Sequence, residues 1–264
     1  MNKLYIIKIG GNIINDEQKL VQFLSMISTV KERKIIIHGG GKLLDQLAEK
    51  IGVVQQMIDG RRVTDAETLQ LATMVYAGLI NKKIVALLQS NSINAIGLSG
   101  ADNNCIQSKK RVNCKNDFGF VGDIEKSGIN TVFISTLIEE NIVPVFCSIT
   151  HNNRGQLLNT NADTIASEIA VAMSHNYEVQ LNYCLETKGV MKSLTEETSV
   201  IPSISNDEYR QLICAGIVSK GMIPKLDSAF AAMHKGVKKV VILHAYDILN
   251  NINNLKNVGT TLSA

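Results

Sequence analysis

The sequence predicts an α/β protein built on a mainly parallel, helix-covered sheet. Three observations predict it. Apolar, β-branched runs such as residues 4–9 and 34–37 alternate with segments of helical period. Two of these runs open onto glycine turns followed by helix patterns, Lys8-Ile9-Gly10-Gly11 and His38-Gly39-Gly40-Gly41-Lys42. Hydrophobic residues make up 45% of the 264, with only 3 prolines to interrupt them, which is enough apolar surface for a sizeable core.

Residues 4–9 read as a fully buried strand. Asp16 reads as the N-cap of a helix whose inner face carries Leu20, Phe23, Leu24, Ile27 and Val30. A second strand at 34–37 precedes a helix striped by Leu43, Leu44, Leu47, Ala48 and Ile51. Residues 53–63 are strand-like, and Thr64-Asp65 opens a long helical stretch to about Ser90, bent at Gly78. A strand follows at 95–98. Residues 105–126 lack helical period and, with Gly119 and Gly122, read as hairpins over the main sheet. Leu137-Ile138 sits in a short helix, 142–146 is a strand, and 162–173 is a helix with Ile165, Ala166, Ile169 and Ala170 facing inward. A strand at 178–184, helices at 206–215 and 222–235, and a strand at 238–243 complete the pattern. No repeat or linker appears, so residues 1–264 read as one continuous domain of two lobes, dividing near 175, where Ser174-His175-Asn176 breaks a helix.

Composition narrows the function. A net charge of +3 is too weak and dispersed for a nucleic-acid partner, and a solvated hairpin accounts for the densest basic run, Lys109-Lys110-Arg111. Cys105, Cys114, Cys147, Cys184 and Cys214 show no CxxC spacing and read as free thiols of a reducing compartment. The N-terminus lacks a signal pattern, and no apolar run reaches the ~18 residues of a membrane span, so a soluble, cytoplasmic protein is expected. No HExxH, GxSxG or Cys/His metal spacing is present, and the 5 histidines form no sequence-level site.

Glycine turns at strand ends bring backbone N–H groups close to a ligand, and the following helix adds partial positive charge; together they favour phosphate or carboxylate. A tight turn that binds nothing would explain one such pair. Two turns, one with three successive glycines, favour an anion. The familiar nucleotide loops fail: a Walker A reading needs glycine where Ile36 stands and Ser or Thr where Leu43 stands, and a GxGxxG reading meets Leu44 at its third glycine. His38 can serve to orient the triple-glycine turn. Lys8, at the end of a buried strand, must either snorkel to water or meet an anion. Lys225 lies in "SKGMIPKLDSAF", where Pro224 marks a first helical turn. A cation there opposes the helix dipole by about 0.3–1 kcal/mol unless a phosphate intervenes; the plain alternative is a surface lysine. In "GQLLNTNADT", one N-cap explains only one of Asn159, Asn161 and Asp163, and Asp163 is suited to hold ammonium groups. Of Arg61 and Arg62, one can clamp a carboxylate bidentately, or both are simply exposed.

The elements "IIKIGG", "IIIHGGGKLLDQL", "GRRVTD", "GLINKKI", "GLSGAD", "LLNTNADTIASEIA" and "SKGMIPKLDSAF" stand in the order and spacing of the acetylglutamate kinases, which the whole chain resembles. These belong to the amino-acid kinase superfamily. The resemblance implies a three-layer αβα sandwich of the amino-acid kinase fold. Its N-lobe, 1–174, would bind the acylglutamate and dimerise, and its C-lobe, 175–264, would bind nucleotide. It implies transfer of phosphate from ATP, with Mg²⁺, to the γ-carboxylate of N-acetyl-L-glutamate or another N-acylglutamate, giving an acyl phosphate in arginine biosynthesis. By position, Lys8 and Lys225 resemble the lysines that stabilise the transferring phosphoryl group, and Asp163 the aspartate that orients them. Gly10, Gly11 and Gly40 resemble phosphate donors. Gly40, Gly41, Arg62 and Asn159 resemble the substrate site, with Arg62 on the α-carboxylate. Glu186, Gly189, Ile217, Val218 and Ser219 fall in the nucleotide region, and no protein metal ligand is implied.

The chemistry is consistent with such a site. A carboxylate is already ionised at neutral pH and needs no general base, so the task is to bring two anions together. The sequence departs from the family at two places. Leu185 and Glu186 replace the usual Thr/Ser-Asp pair, and Asn103 ends the SGADN loop that precedes 105–126. That region could border the acyl group, which leaves a larger, acidic group such as succinyl open, with Lys109, Lys110 and Arg111 as its counter-charges. Kinases of carbamate, UMP, glutamate or isopentenyl phosphate are rivals, as is a non-catalytic nucleotide-binding regulator. The chain enters its first strand at about Leu4, without the N-terminal helix of arginine-sensitive members, and so resembles an arginine-insensitive homodimer.

Overall fold

The computed structural model describes residues 1–58, 60–112, 115–193, 196, 199–218 and 222–263. Strand β1 (Lys3–Ile9) leads into α1 (Gly11–Ile14) and α2 (Glu17–Ser28), and β2 (Arg33–His38) into α3 (Gly41–Ile51). After β3 (Gln56–Ile58) and β4 (Arg61–Val63) comes one continuous helix: α4 (Ala66–Thr73), a π-helical stretch Met74–Ile80, and α5 (Asn81–Ser90). Then follow β5 (Ala95–Leu98), β6 (Ile106–Lys110), β7 (Gly122–Ile129), α6 (Thr131–Glu139), β8 (Val143–Phe146), β9 (Ile149–His151), β10 (Leu157–Asn159) and α7 (Ala162–Met173). The chain continues through β11 (Glu178–Leu185), β12 (Ser203–Ser205), α8 (Asn206–Cys214), α9 (Ile223–His234), β13 (Lys239–His244), α10 (Ile248–Ile252) and β14 (Thr260–Ser263).

Contacts divide the chain into two compact units, Met1–Lys34 with Ala166–Ala264, and Ile35–Ile165. This division differs from a lobe boundary near 175. The first strand joins the C-terminal residues because β1 lies parallel to β11 along its whole length, from Lys3↔Glu178 to Ile9↔Cys184.

In the first unit the strand order is β12-β14-β13-β11-β1. β1, β11 and β13 are parallel, while β14 runs antiparallel to β13 and parallel to β12. Leu4, Ile6, Ile7, Ile9, Val179, Leu181, Val240, Val241 and Leu243 are fully buried, as parallel strands covered on both faces require. Asp16 caps α2 by accepting from the Lys19 N–H, and Leu20, Phe23, Leu24 and Ile27 are buried, as their spacing predicts.

In the second unit β2, β8 and β5 form a parallel set, and β10-β9-β6-β7 form a separate four-stranded sheet. The stretch 53–63 is a hairpin of β3 and β4 rather than one strand, since Gly60, at φ +74°, turns the chain back. Residues 105–126 do form a hairpin, but with a register shift between Ile106 and Ser108 and with β9 as a parallel neighbour of β6. Gly78 lies inside the π-helical stretch. The 25-residue helix Ala66–Ser90 is long and apolar enough to cross a membrane by length and composition, contrary to the expectation that nothing reaches that length. Its Leu69, Leu71, Ala72, Val75, Tyr76, Ile80, Ile84 and Leu88 are buried in the fold.

Candidate active site

In the Ile35–Ile165 unit, β2 ends at His38 and three glycines turn the chain into α3. Gly40 has φ +153°, and a Cβ there would stand 2.1 Å from Ile80 Cδ1 and 3.2 Å from the Tyr76 ring. Both conformation and space therefore demand glycine. No side chain caps α3 at Gly40, so the turn presents its backbone N–H groups with the positive end of the helix dipole behind them.

Strand β4 sets Arg62 beside this turn. Its Nη2 donates to the Gly41 carbonyl at 3.4 Å, and its Nη1 donates to Asp45 Oδ1 at 2.6 Å and to Gln55 Oε1. The guanidinium is thus braced on the same helix whose start it flanks, and the side chain is 10% exposed. Tyr76 closes the cluster; burial pushes its phenol up to about 12, with Arg62 pulling the other way. Asn159 donates through Nδ2 to Thr64 Oγ1 at 3.1 Å. Its backbone N–H bonds Phe120, while Thr64 exchanges backbone bonds with Phe118 and Phe120. The structure therefore brings Gly40, Gly41 and Arg62 together and ties Asn159 to the residue two beyond Arg62. Asn161 Oδ1 accepts from the N–H groups of Asp163 and Thr164, so Asn161 is the cap of the three short polar residues. Asp163 sits in the first turn of α7.

The other unit gathers cations. Lys8 pairs in register with Tyr183 on β11, and Lys225 Nζ lies 5.1 Å from the centre of the Tyr183 ring. The two lysines are only 9% and 8% exposed. Tyr183 is held in turn by a 2.7 Å hydrogen bond between its hydroxyl and Ser167 Oγ. Burial pushes the Cys184 thiol up to about 12, with the Lys8 ammonium pulling the other way. Lys8 and Lys225 are thus both placed by Tyr183, near the C-terminal end of β11: one by strand register, the other over its ring. The Gly10 N–H donates to the Cys184 carbonyl at 2.8 Å, and a Cβ at Gly10 would meet that same oxygen at 2.7 Å. Gly11 opens α1 with nothing within 4 Å of its Cβ position.

Among the nucleotide-region residues, Glu186 accepts from Asn12 Nδ2 at 2.6 Å and Lys19 Nζ at 2.9 Å. Gly189 has a packing reason of its own, since its Cβ would stand 2.7 Å from Thr260 Oγ1. Val218 is buried, the Ile217 N–H bonds the Leu212 carbonyl, and Ser219 lies outside the described residues. The basic run 109–111 is partly committed: Arg111 makes a bidentate pair with Asp123, and Lys110 lies 3.7 Å from Asp117. Cys105, Cys147 and Cys184 are buried free thiols, and burial pushes each up to about 12. Among the described residues no three His, Cys, Asp or Glu side chains are placed to hold a metal. Sequence reasoning missed Tyr76, Tyr183 and Asn81. Tyr76 and Tyr183 look like ordinary helix and strand residues with no local signal, whereas Asn81 stands within the element "GLINKKI", which marks the family without pointing to this residue.

The chain belongs to the amino acid kinase family, whose sequence profile matches residues 3–244. Its curated relatives carry a more particular name. It is 50% identical to the acetylglutamate kinase of Cytophaga hutchinsonii over 100% of both chains. It is 49% identical to the acetylglutamate kinase of Phocaeicola vulgatus over 91% of this chain and 93% of that one. The solved structure of smu.665 from Streptococcus mutans shares the fold, with a TM-score of 0.80 at 24% identity over 99% of this chain and 98% of that one.

Proposed function

We propose that this protein is an ATP-dependent kinase that phosphorylates the γ-carboxylate of N-acetyl-L-glutamate, giving an acyl phosphate in arginine biosynthesis. The observation that carries the reading is the full-length match, at 50% identity, to a protein named acetylglutamate kinase. In the proposed step, a γ-carboxylate oxygen attacks the γ-phosphorus of ATP in line. The bond to the bridging oxygen breaks, and ADP leaves with that electron pair. The carboxylate is already ionised, so no proton needs to move.

In this reading Lys8 and Lys225 neutralise charge on the transferring phosphoryl oxygens and Gly11 offers its backbone N–H to phosphate, whereas the Gly10 N–H, expected from the resemblance to do the same, is already donated to the Cys184 carbonyl and Gly10 serves by its lack of a side chain. Asp163 belongs to the same catalytic set. Arg62, braced by Asp45 and Gln55, presents its remaining donors to the α-carboxylate, with Gly40, Gly41 and Asn159 completing the acceptor site. Residues 1–174 carry the acceptor and dimer functions, and 175–264 the nucleotide, including Glu186, Gly189, Ile217, Val218 and Ser219. Mg²⁺ would accompany ATP and offset the charge of its phosphates. The protein acts in the cytoplasm as a homodimer. A succinyl acceptor is not favoured, because the full-length curated relatives carry the name acetylglutamate kinase, and Arg111, one of the three cations offered as its counter-charge, is already paired with Asp123.

An Mg-ATP assay across N-acetylglutamate, N-succinylglutamate, glutamate, carbamate and UMP tests the reading. ADP release should be fastest with N-acetylglutamate. Faster release with any other acceptor overturns the substrate, and release with none overturns the kinase.

A further inference from the structure

Beneath the glycine turn lies a buried polar chain that touches no proposed ligand. His38 and Asn81 are 0% and 1% exposed. His38 Nδ1 lies 2.9 Å from the Gly39 carbonyl, and its Nε2 lies 3.0 Å from Asn81 Nδ2. Asn81 Nδ2 also donates to the Val145 carbonyl at 2.9 Å.

These contacts fix every proton. The Val145 carbonyl can only accept, so the Asn81 amide must turn its NH₂ toward it. The second N–H of that group then points at His38 Nε2, which must accept. The ring proton therefore sits on Nδ1 and is donated to the Gly39 carbonyl. The Gly39 C=O and the Gly40 N–H belong to one trans peptide and point in opposite directions. Holding that carbonyl on His38 aims the Gly40 N–H away from the buried ring, toward the turn that Arg62 flanks. Ser148 Oγ donates to the His38 carbonyl at 3.1 Å and holds the backbone of the same residue.

The far end of the chain is Gly97 on β5. The place a Cβ would take there lies 1.8 Å from Asn81 Oδ1, which has no N–H or O–H donor among the described residues. Glycine at 97 lets the amide oxygen rest against its Cα–H, where any side chain would push Asn81 off His38. We propose that Gly97, Asn81 and His38 form a positioning chain that sets the direction of the Gly40 amide, so that acceptor affinity depends on residues that never touch the acceptor. His38 is here a positioning residue rather than a catalytic one. The inference rests on the kinase reading for its acceptor but not for its geometry.

Three variants test it: His38→Leu, His38→Asn and Gly97→Ala. His38→Leu removes the donor to Gly39 and should raise the KM for N-acetylglutamate about tenfold, leaving the ATP KM within twofold. His38→Asn keeps an N–H near the Nδ1 position and should bring that KM back to within about threefold of wild type. Gly97→Ala should raise the acceptor KM in the wild-type background and leave it unchanged in His38→Asn, whose shorter side chain no longer reaches Asn81. Equal KM values for folded His38→Leu and wild type, or an additive effect of Gly97→Ala in both backgrounds, would overturn the chain. A readout independent of activity separates this from the kinase reading and serves if His38→Leu does not fold. Gly97→Ala should shift the Gly40 amide resonance and the His38 ring nitrogens in ¹⁵N spectra of the ligand-free protein. An unmoved Gly40 amide sinks the inference even if N-acetylglutamate proves to be the substrate, and a shifted one sustains it even if another acceptor is used.

Discussion

Arg62 shows how a side chain's partners define its task. Asp45 and Gln55 occupy Nη1 and hold the guanidinium plane beside Gly41, so its remaining donors face one direction. Arg62→Ala should therefore raise the acceptor KM by about 10- to 100-fold with a smaller change in kcat; an unchanged KM in steady-state assays would remove Arg62 from the acceptor site. Lys8 and Lys225 differ in kind, because in the proposed reaction they would meet charge that moves during transfer. Lys8→Ala and Lys225→Ala should each lower kcat by about 100-fold or more with far-UV circular dichroism preserved, and near-normal turnover in either would cancel its role. His38 adds a pH signature. Burial holds its imidazole down to about 4 from an ordinary 6.5. Between these values the unfolded chain binds a proton that the folded chain does not, so stability falls as pH drops from about 6.5 to 4, by roughly 3 kcal/mol in all. Urea unfolding at pH 7 and pH 5 should show a smaller acid loss in His38→Asn than in wild type. An identical loss would show that other groups carry the acid limb.

At the scale of elements, the informative segment is the helix Ala66–Ser90 with its π-helical interior. That stretch places Tyr76 and Ile80 under Gly40 and delivers Asn81 to His38. Gly78 lies within it at negative φ with open space at its Cβ position. Gly78→Ala should stabilise the protein by about 0.4–1 kcal/mol, raising the Tm by about 1–4 °C, and leave the acceptor KM alone. Deleting Gly78 should do the opposite to function, since removing one residue rotates everything beyond it by about 100° relative to the preceding turns. Calorimetry and acceptor titration on the two variants separate packing from positioning, and similar KM values for both would mean the π-helical register has no bearing on the site.

At the scale of the whole molecule, each unit carries its own parallel strands and its own proposed site residues: Lys8 on β1 and Lys225 on α9 in one, the Gly40 turn and Arg62 in the other. Sedimentation velocity of the full chain should show a single species at twice the mass of 28.8 kDa, and a monomer at micromolar concentration would retire the homodimer proposal. The long strands and most helices were legible because their periods are local: residues 4–9 and 34–37 are unbroken apolar runs, and α2 carries its cap and stripe in 13 consecutive positions, Asp16 to Ser28. The 3-residue strands β9, β10, β12 and the hairpin β3–β4 were not legible, because 3 residues are too few to display a period.

The sequence by itself determined the alternation of strand and helix, the two glycine turns, and the lysines, arginine and asparagine that mark the family. These are carried by neighbours in the chain, where periodicity and spacing can express them. Only the tertiary structure decided that the first strand joins the C-terminal unit, that Lys225 lies over the ring of Tyr183, the register partner of Lys8, and that Gly97 is linked to the triple-glycine turn through Asn81 and His38. Each of these depends on residues far apart in the chain. Such contacts arise when buried polar groups must find partners and parallel strands must pair, and no local pattern records that choice.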